Sequence, residues 1–502
     1  MNARWAAAAR VAAALGIGAG LVALVPILPA SIQLRAPQEA QEVLASGGGA
    51  PAGATGPTST PVRTTVLVCP GSETDGISGL PPVPPGVTTV FAASAPSEAL
   101  VGVPTVADDG AVTLRVQPSG TELDTTSARG RAVTGTLSGP TTGELTAAGA
   151  LAVGVAGLQT TLHASGDDRG LSVTSCQVPG AELWLLAGGG DSTRRERLII
   201  TNPGANAVTV DVSVHGSAGR ISSVNGSRLA VPPHGRVGIL VDAIAPSEPN
   251  PAVHVTASGG LVTAVLEDAW IEGAVARGRD DVGPSAEPST DQVVPAAFLT
   301  GRGLVRLVST GDDEAVAQIR VLTDAGAVPL SEGGVVRVPG GAVRDVDLGT
   351  LAAGAYAVQV KSDEPVVASV LAERRSADPA GPSDLAWSAA GAPIPVIAGT
   401  PVPPGVTGRL MLVGTGADWA ATVLLVGADA VVTATSVTGQ ADSVKVLDLG
   451  SAAAVWVRPS AGTVRAGVAI EAAPTEGPLF GLLPLVPIPV TTTDVPVREI
   501  RR

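Results

Sequence analysis

A chain of 502 residues with 45% hydrophobic and only 2% aromatic content can support several cores, which must then be built from Val, Leu, Ile and Ala. Its formal net charge of −14 repels phosphate backbones and argues against nucleic acid as a partner. With 63 glycines and 42 prolines, the chain is too rich in turn formers for long helices past its N-terminus.

Arg4 and Arg10 precede 24 uncharged residues, Val11 to Leu34. About 20 apolar residues span a bilayer as a helix, with the arginines staying on the cytoplasmic side. Residues 1–35 are therefore expected to be a signal anchor, one transmembrane helix that places the protein at the cell membrane with the bulk of the chain extracytoplasmic. A signal peptide cleaved near Leu28-Pro29-Ala30 is the competing reading. Residues 36–61 hold few apolar side chains beyond alanine and read as a flexible stalk.

Beyond the stalk the pattern is that of strands. In "LIITNPGANAVTVDVSVHGSAG" (198–219), Val208, Val210, Val212 and Val214 alternate with polar residues, and Asn202-Pro203-Gly204 is a turn, which together predict a hairpin. "RLVSTGDDEAVAQIRVLTDAG" (306–326) repeats the spacing, with Thr310-Gly311-Asp312 as the turn. "RLMLVGTGADWAATVLLVGADA" (409–430) repeats it with Gly414-Thr415-Gly416. A second landmark, a Ser-led turn before runs such as "LVTAVLE", "PVVASVLAE" and "TVRAGVAIE", closes each copy. The expected organisation is four modules, residues 62–180, 181–296, 297–400 and 401–496, with a tail at 497–502. The Pro-spaced "PLFGLLPLVPIPV" is too short and too broken to span a membrane and reads as the last strand or strap of the fourth module. Short Val-rich runs at this density predict an all-β chain of tandem antiparallel β-sandwiches, with a β-propeller as the alternative.

Cys69 and Cys176 fall in the first and last apparent strands of the first module. Two lone cysteines in an exported chain are expected to pair, the alternative being two inert buried thiols.

The search for chemistry returns little. There is no G-x-S-x-G, H-E-x-x-H, P-loop, dinucleotide fingerprint or S-x-x-K. His163, His215, His234 and His254 match no zinc-ligand spacing. Asp108-Asp109-Gly110, Gly166-Asp167-Asp168 and Gly311-Asp312-Asp313 read as hairpin turns rather than calcium loops. Arg194-Arg195-Glu196-Arg197 reads as the lead-in to a strand, and Arg498, Arg501 and Arg502 as a charged tail. Trp270 and Trp387 follow the last strands of modules two and three and are expected to wedge contacts between modules. Glu267, Asp268 and Glu272 form an acidic cluster between modules, the one place where a carboxylate pair for catalysis could converge; solvated connector residues are the plainer reading. No catalytic, cofactor or metal site is expected.

The anchor, the stalk, the Pro-rich connectors and repeats of the type "RLIITNPGANAVTVDVSV … VPPHGRVGILV … SGGLVTAVLEDAW" together resemble an uncharacterised family of actinobacterial membrane-anchored exported proteins. The resemblance spans residues 60–495 and implies tandem immunoglobulin-like sandwiches; the family carries no catalytic residues to transfer. The function expected is a non-enzymatic scaffold or adhesion protein of the cell envelope, its partners an envelope protein or polysaccharide and, through the helix, the membrane. The alternative is an enzyme or accessory subunit in envelope polysaccharide assembly; a lipid carrier has no apolar excess to support it.

Overall fold

A computed structural model describes residues 58–494 except 72–85, 191–192, 301, 350, 379 and 474–475. Among these residues the chain is all-β, with antiparallel strands joined by turns and short 3-10 segments. The expected anchor, most of the stalk and the tail lie outside the described residues, and no described helix is long and apolar enough to cross a membrane.

The strands fall into four successive groups. In the first, one four-stranded sheet runs Thr64–Cys69, Thr142–Ala148, Val112–Gln117, Thr121–Thr126. The other runs Ala132–Leu137, Val87–Ser94, Val155–His163, Gly170–Ser175. Leu67, Leu114 and Leu145 from one and Val90 and Val133 from the other share a core. The second group repeats the plan, with a five-stranded sheet around Val208–Gly216 and Ala252–Ser258 facing Gly235–Leu240, Arg194–Asn202, Thr263–Glu272, Val275–Val282.

In the third and fourth groups long strands carry the chain from one layer to the other. Gly354–Arg374 pairs first with Ala315–Thr323 and then with Gly303–Ser309 and Asp384–Ala389. Val406–Val426 and Ala454–Ala472 cross in the same way, with a register shift between Thr415 and Ala420. The sheets of the first two groups face each other in pairs over shared cores, and in the last two long strands run from layer to layer, where a propeller would set single four-stranded blades around an axis; the described residues do not form a propeller.

The expected hairpin at residues 198–219 is not one. Arg194–Asn202 and Val208–Gly216 lie in facing sheets and do not pair. Asn202 holds this crossing: its amide donates to the carbonyls of Asn206, Val231 and Pro232, and its Oδ1 accepts the Gly204 N–H. Alternation identifies a strand with one dry face but not its neighbour, and Leu198, Ile200 and the valines at 208–214 meet in one core from opposite sides. Thr310-Gly311-Asp312 likewise links unpaired strands, whereas Gly414-Thr415-Gly416 lies inside the continuous strand Val406–Val426.

Ser59–Thr492 forms one compact unit, because the groups pack in a circuit. Gly170–Ser175, Val275–Val282, Asp384–Ala389 and Phe480–Pro484 are each the edge of their own sheet, and each packs on the next, with the last returning to the first. Three seams are apolar. Leu385 and Trp387 of the third group enter the second group's core, Phe480 and Leu482 of the fourth enter the third's, and Leu171 and Val173 of the first enter the fourth's. The seam between first and second groups is built instead from charge. The ends of the unit also meet, the Val62 N–H donating to the Val490 carbonyl at 3.3 Å.

Candidate functional site

An edge strand carries a row of unpaired N–H and C=O groups, and burying four such edges together demands partners for them. Close approach comes first. A Cβ on Gly170 would lie 2.5 Å from the Arg279 nitrogen, and one on Gly278 would collide with the Leu385 nitrogen. Two buried carboxylates then take the place of a ladder. Asp280 accepts the Trp387 N–H at 2.8 Å; Asp384 accepts the N–H groups of Phe480 at 2.9 Å and Leu171 at 3.4 Å. Burial pushes both carboxyls well above the usual carboxylate range, against the pull of these donors. Arg169 completes the junction from the first group, donating to the carbonyls of Ser383 (3.2 Å), Pro478 (3.0 Å), Gly477 (3.1 Å) and Glu476.

The charged seam follows from strand register. Arg197, Glu267 and Asp281 lie side by side across three strands, and Arg195 and Arg279 lie two residues along; the period of two brings all five to the face packed on the first group. Glu267 accepts from Arg197 at 3.3 Å and Arg279 at 2.7 Å. Asp168 of the first group pairs with Arg195 and lies 4.0 Å from Arg279. His163 sits beside these arginines, and burial together with the charges of Arg279 and Arg195 lowers its pKa to about 3.

Asp281 is the exception in this layer. Its carboxylate is buried, and among the described residues neither oxygen has a hydrogen-bond partner. The Ser172 hydroxyl is near enough to favour the charged form but does not meet hydrogen-bond geometry. Burial pushes the acid up to about 6, against the charge of Arg279. It borders an axial cavity of about 50 Å³, also lined by Thr174, Gln177, Trp387 and Leu483. That volume suits water-sized occupants and not an organic substrate.

The opposite face of the same sheet carries a second set. Asp268 receives Arg194 Nε at 3.0 Å, Nη2 at 2.6 Å and the Trp387 indole N–H at 2.7 Å. Glu196 accepts the N–H groups of Gly189 and Gly190 at 2.7 and 3.1 Å, and burial and the neighbouring Asp268 charge raise its pKa.

Residues 132–450 match DUF5719, a family of unknown function. The chain belongs to that family. No curated protein matches it. Among solved structures, the crystal structure of Thermotoga maritima 1070 is 16% identical, covering 20% of this chain and 92% of that one with a TM-score of 0.18. A tetra-tandem repeat in the extending region of a large adhesion protein is 11% identical, covering 80% and 98% at a TM-score of 0.10. Escherichia coli alpha-2-macroglobulin activated by porcine elastase is 10% identical, covering 84% and 44% at 0.11. At these scores none of them bears on fold or function.

The DUF5719 match runs from the first group into the fourth and takes in the axial residues Asp280, Asp281 and Asp384. The residues singled out in the sequence are mostly dispersed around this junction. Cys69 and Cys176 are joined as a disulfide inside the first core. The four histidines do not gather at one site, although His215 and His254 both pack on Trp184 with their own ring centroids 6.3 Å apart. His215 Nδ1 donates to Gly341 O at 2.8 Å, His254 stacks on Trp184 with centroids 4.1 Å apart and lies 3.0 Å from Glu182, and His234 occupies a positive-φ turn. No group of three or more His, Cys, Asp or Glu among the described residues could hold a metal. Glu267 and Asp268 point to opposite faces and are neutralised by different arginines, while Glu272 bonds Arg277 at 2.8 Å; they do not form a catalytic pair. Arg194 to Arg197 are more than a lead-in, since all four residues join buried pairs or bonds. Trp387 wedges the second and third groups, and Trp270 lies under Arg194 and Arg375.

Sequence reading missed Arg169, Arg279, Asp280, Asp281 and Asp384. Three of them lie in "VARGRDDV", a strand with charges on both faces, which by residue type reads as solvated on both sides and is instead buried here.

Proposed function

We propose that this DUF5719 chain is a membrane-anchored extracytoplasmic scaffold of an actinobacterial cell envelope, with no catalytic role of its own. The reading takes each strand group as an immunoglobulin-like sandwich and residues 1–35 as the tether. One observation carries it: apart from Asp281, the buried carboxylates at the junction are taken up in holding neighbouring strands. Asp280, Asp384, Glu267 and Asp268 hold backbone and arginines of neighbouring strands instead of converging on an open cleft. Four sandwiches locked in a circuit make a stiff block, and a disulfide suits an oxidising compartment. Such a block on one tether presents a fixed surface to an envelope protein or polysaccharide.

Crosslinking the tagged full-length protein on intact cells, followed by mass spectrometry of attached peptides and released glycans, tests this. Wall polysaccharide or a non-enzymatic envelope protein is the expected catch. Near-stoichiometric recovery of one membrane enzyme would overturn the free-standing scaffold and make the chain that enzyme's accessory subunit.

A further inference from the structure

Several other sheet edges among the described residues are protected. Thr121–Thr126 carries Glu122 and Asp124, and Asp124 also takes the Thr134 N–H of the edge beside it at 3.0 Å. Gly326–Pro329 and Ala398–Pro401 end in proline, Val335–Val338 carries Arg337, and Gly219–Ile221 is three residues long. These are the usual devices against edge-to-edge pairing.

Val432–Gly439 has none of them. Its sequence, VTATSVTG, is uncharged, free of proline and rich in β-branched residues. Among the described residues it pairs only with Val406–Val426, through Trp419 to Val426 without a register shift, and it is the last strand of its sheet on that side. Thr433, Ala434, Thr435, Ser436 and Thr438 are all exposed. The Gly427 N–H donates to Val431 O at the hairpin end, so the antiparallel alternation turns the N–H and C=O groups of Val432, Ala434, Ser436 and Thr438 outward.

We propose that this strand is a dimerisation edge to which a second copy of the chain adds antiparallel, continuing the sheet across a two-fold axis. The edge is self-complementary. Centred on Thr435, the pairing sets Val432 against Thr438 and Ala434 against Ser436, so every outward N–H and C=O meets a partner. Thr435 faces its own symmetry mate, and side chains across the axis are small or β-branched. The strand itself carries no charge, so pairing along it sets no like charges directly opposite each other.

The test uses purified full-length protein in detergent. Light scattering is expected to give twice the protomer mass, and Thr435→Lys, at an exposed position, to give the protomer mass with unchanged circular dichroism. Cys69 and Cys176 are paired, so a new cysteine is the one free thiol. Thr435→Cys is expected to form a reducible covalent dimer under mild oxidant, because residues facing each other in a non-hydrogen-bonded pair have Cα atoms about 4.5 Å apart. Thr433→Cys, displaced from the axis, is expected to stay uncrosslinked. A monomeric wild type, equal crosslinking at 433 and 435, or an unchanged mass for Thr435→Lys would each overturn the proposal.

Discussion

The indole N–H of Trp387 donates to the carboxylate of Asp268 at 2.7 Å across a sequence separation of 119. It ties the third group to a carboxylate that Arg194 also grips with two bonds, inside the second group's core. Trp387→Phe retains most of the packing and removes one donor to a charged acceptor, a loss of about 1.5–3 kcal/mol. Trp387→Ala also opens a cavity and should cost about 3–5 kcal/mol. Urea unfolding should rank wild type, Phe and Ala in that order; equal stability of all three would mean that the wedge contributes nothing.

Asp281 and His163 should give stability opposite pH dependences over nearly the same range. The Asp281 carboxyl is raised by burial to about 6 from an ordinary 3.8, so the folded state holds its proton more tightly. Its contribution is complete below about pH 4 and is lost as pH rises through about 6, roughly 3 kcal/mol in all. His163 is lowered by burial and by Arg279 and Arg195 to about 3 from 6.5. The unfolded chain binds the proton first, and roughly 5 kcal/mol is lost as pH falls from about 6.5 to about 3. Relative to wild type, Asp281→Asn should gain stability as pH rises from 4 to 6, and His163→Gln should gain it as pH falls over that range. Urea midpoints at several pH values decide; differences of the same sign would refute the assignment.

The strands were legible because burial on one side writes a period of two into the chain, as at Val208 to Val214. Their partners were not, since alternation is blind to which sheet a strand joins, and the Asn202 turn therefore read as a hairpin. The disulfide was legible from two lone cysteines in a chain expected to be exported. The axial junction was not, because Asp280, Asp281 and Asp384 are surface residues by type and become structural only when four edges close around them. Glu267 and Asp268 were expected to be solvated connector residues, yet both are buried within the strand Thr263–Glu272, and as chain neighbours on a strand they face opposite ways, which a linear reading as one acidic cluster ignores.

The Cys69–Cys176 bond closes a sequence separation of 107, and chain entropy assigns such a loop roughly 4–5 kcal/mol. It joins two strands of the first group, whose seam with the second is charged rather than apolar. Cys69→Ala/Cys176→Ala should therefore lower the urea midpoint and expose the first group to protease before the others. Simultaneous cleavage of all groups would show that the circuit opens only as a whole.

The Arg197–Glu267–Arg279 triad separates stability from pairing specificity at that seam. All three side chains are buried, with bonds of 3.3 and 2.7 Å. Glu267→Gln leaves the buried Arg197 without its ion pair and Arg279 with Asp168 at 4.0 Å in place of a close carboxylate, and should cost about 3–5 kcal/mol. Replacing all three by apolar residues of similar volume removes charges and partners together, so the desolvation cost of the ions disappears with their attraction, and the triple variant should lose less than the single one. Its first group should then be less uniquely docked, read as broadened amide resonances or faster hydrogen exchange along Gly170–Ser175 at comparable global stability. A triple variant that loses more than Glu267→Gln would show instead that the ionic layer is a net source of stability.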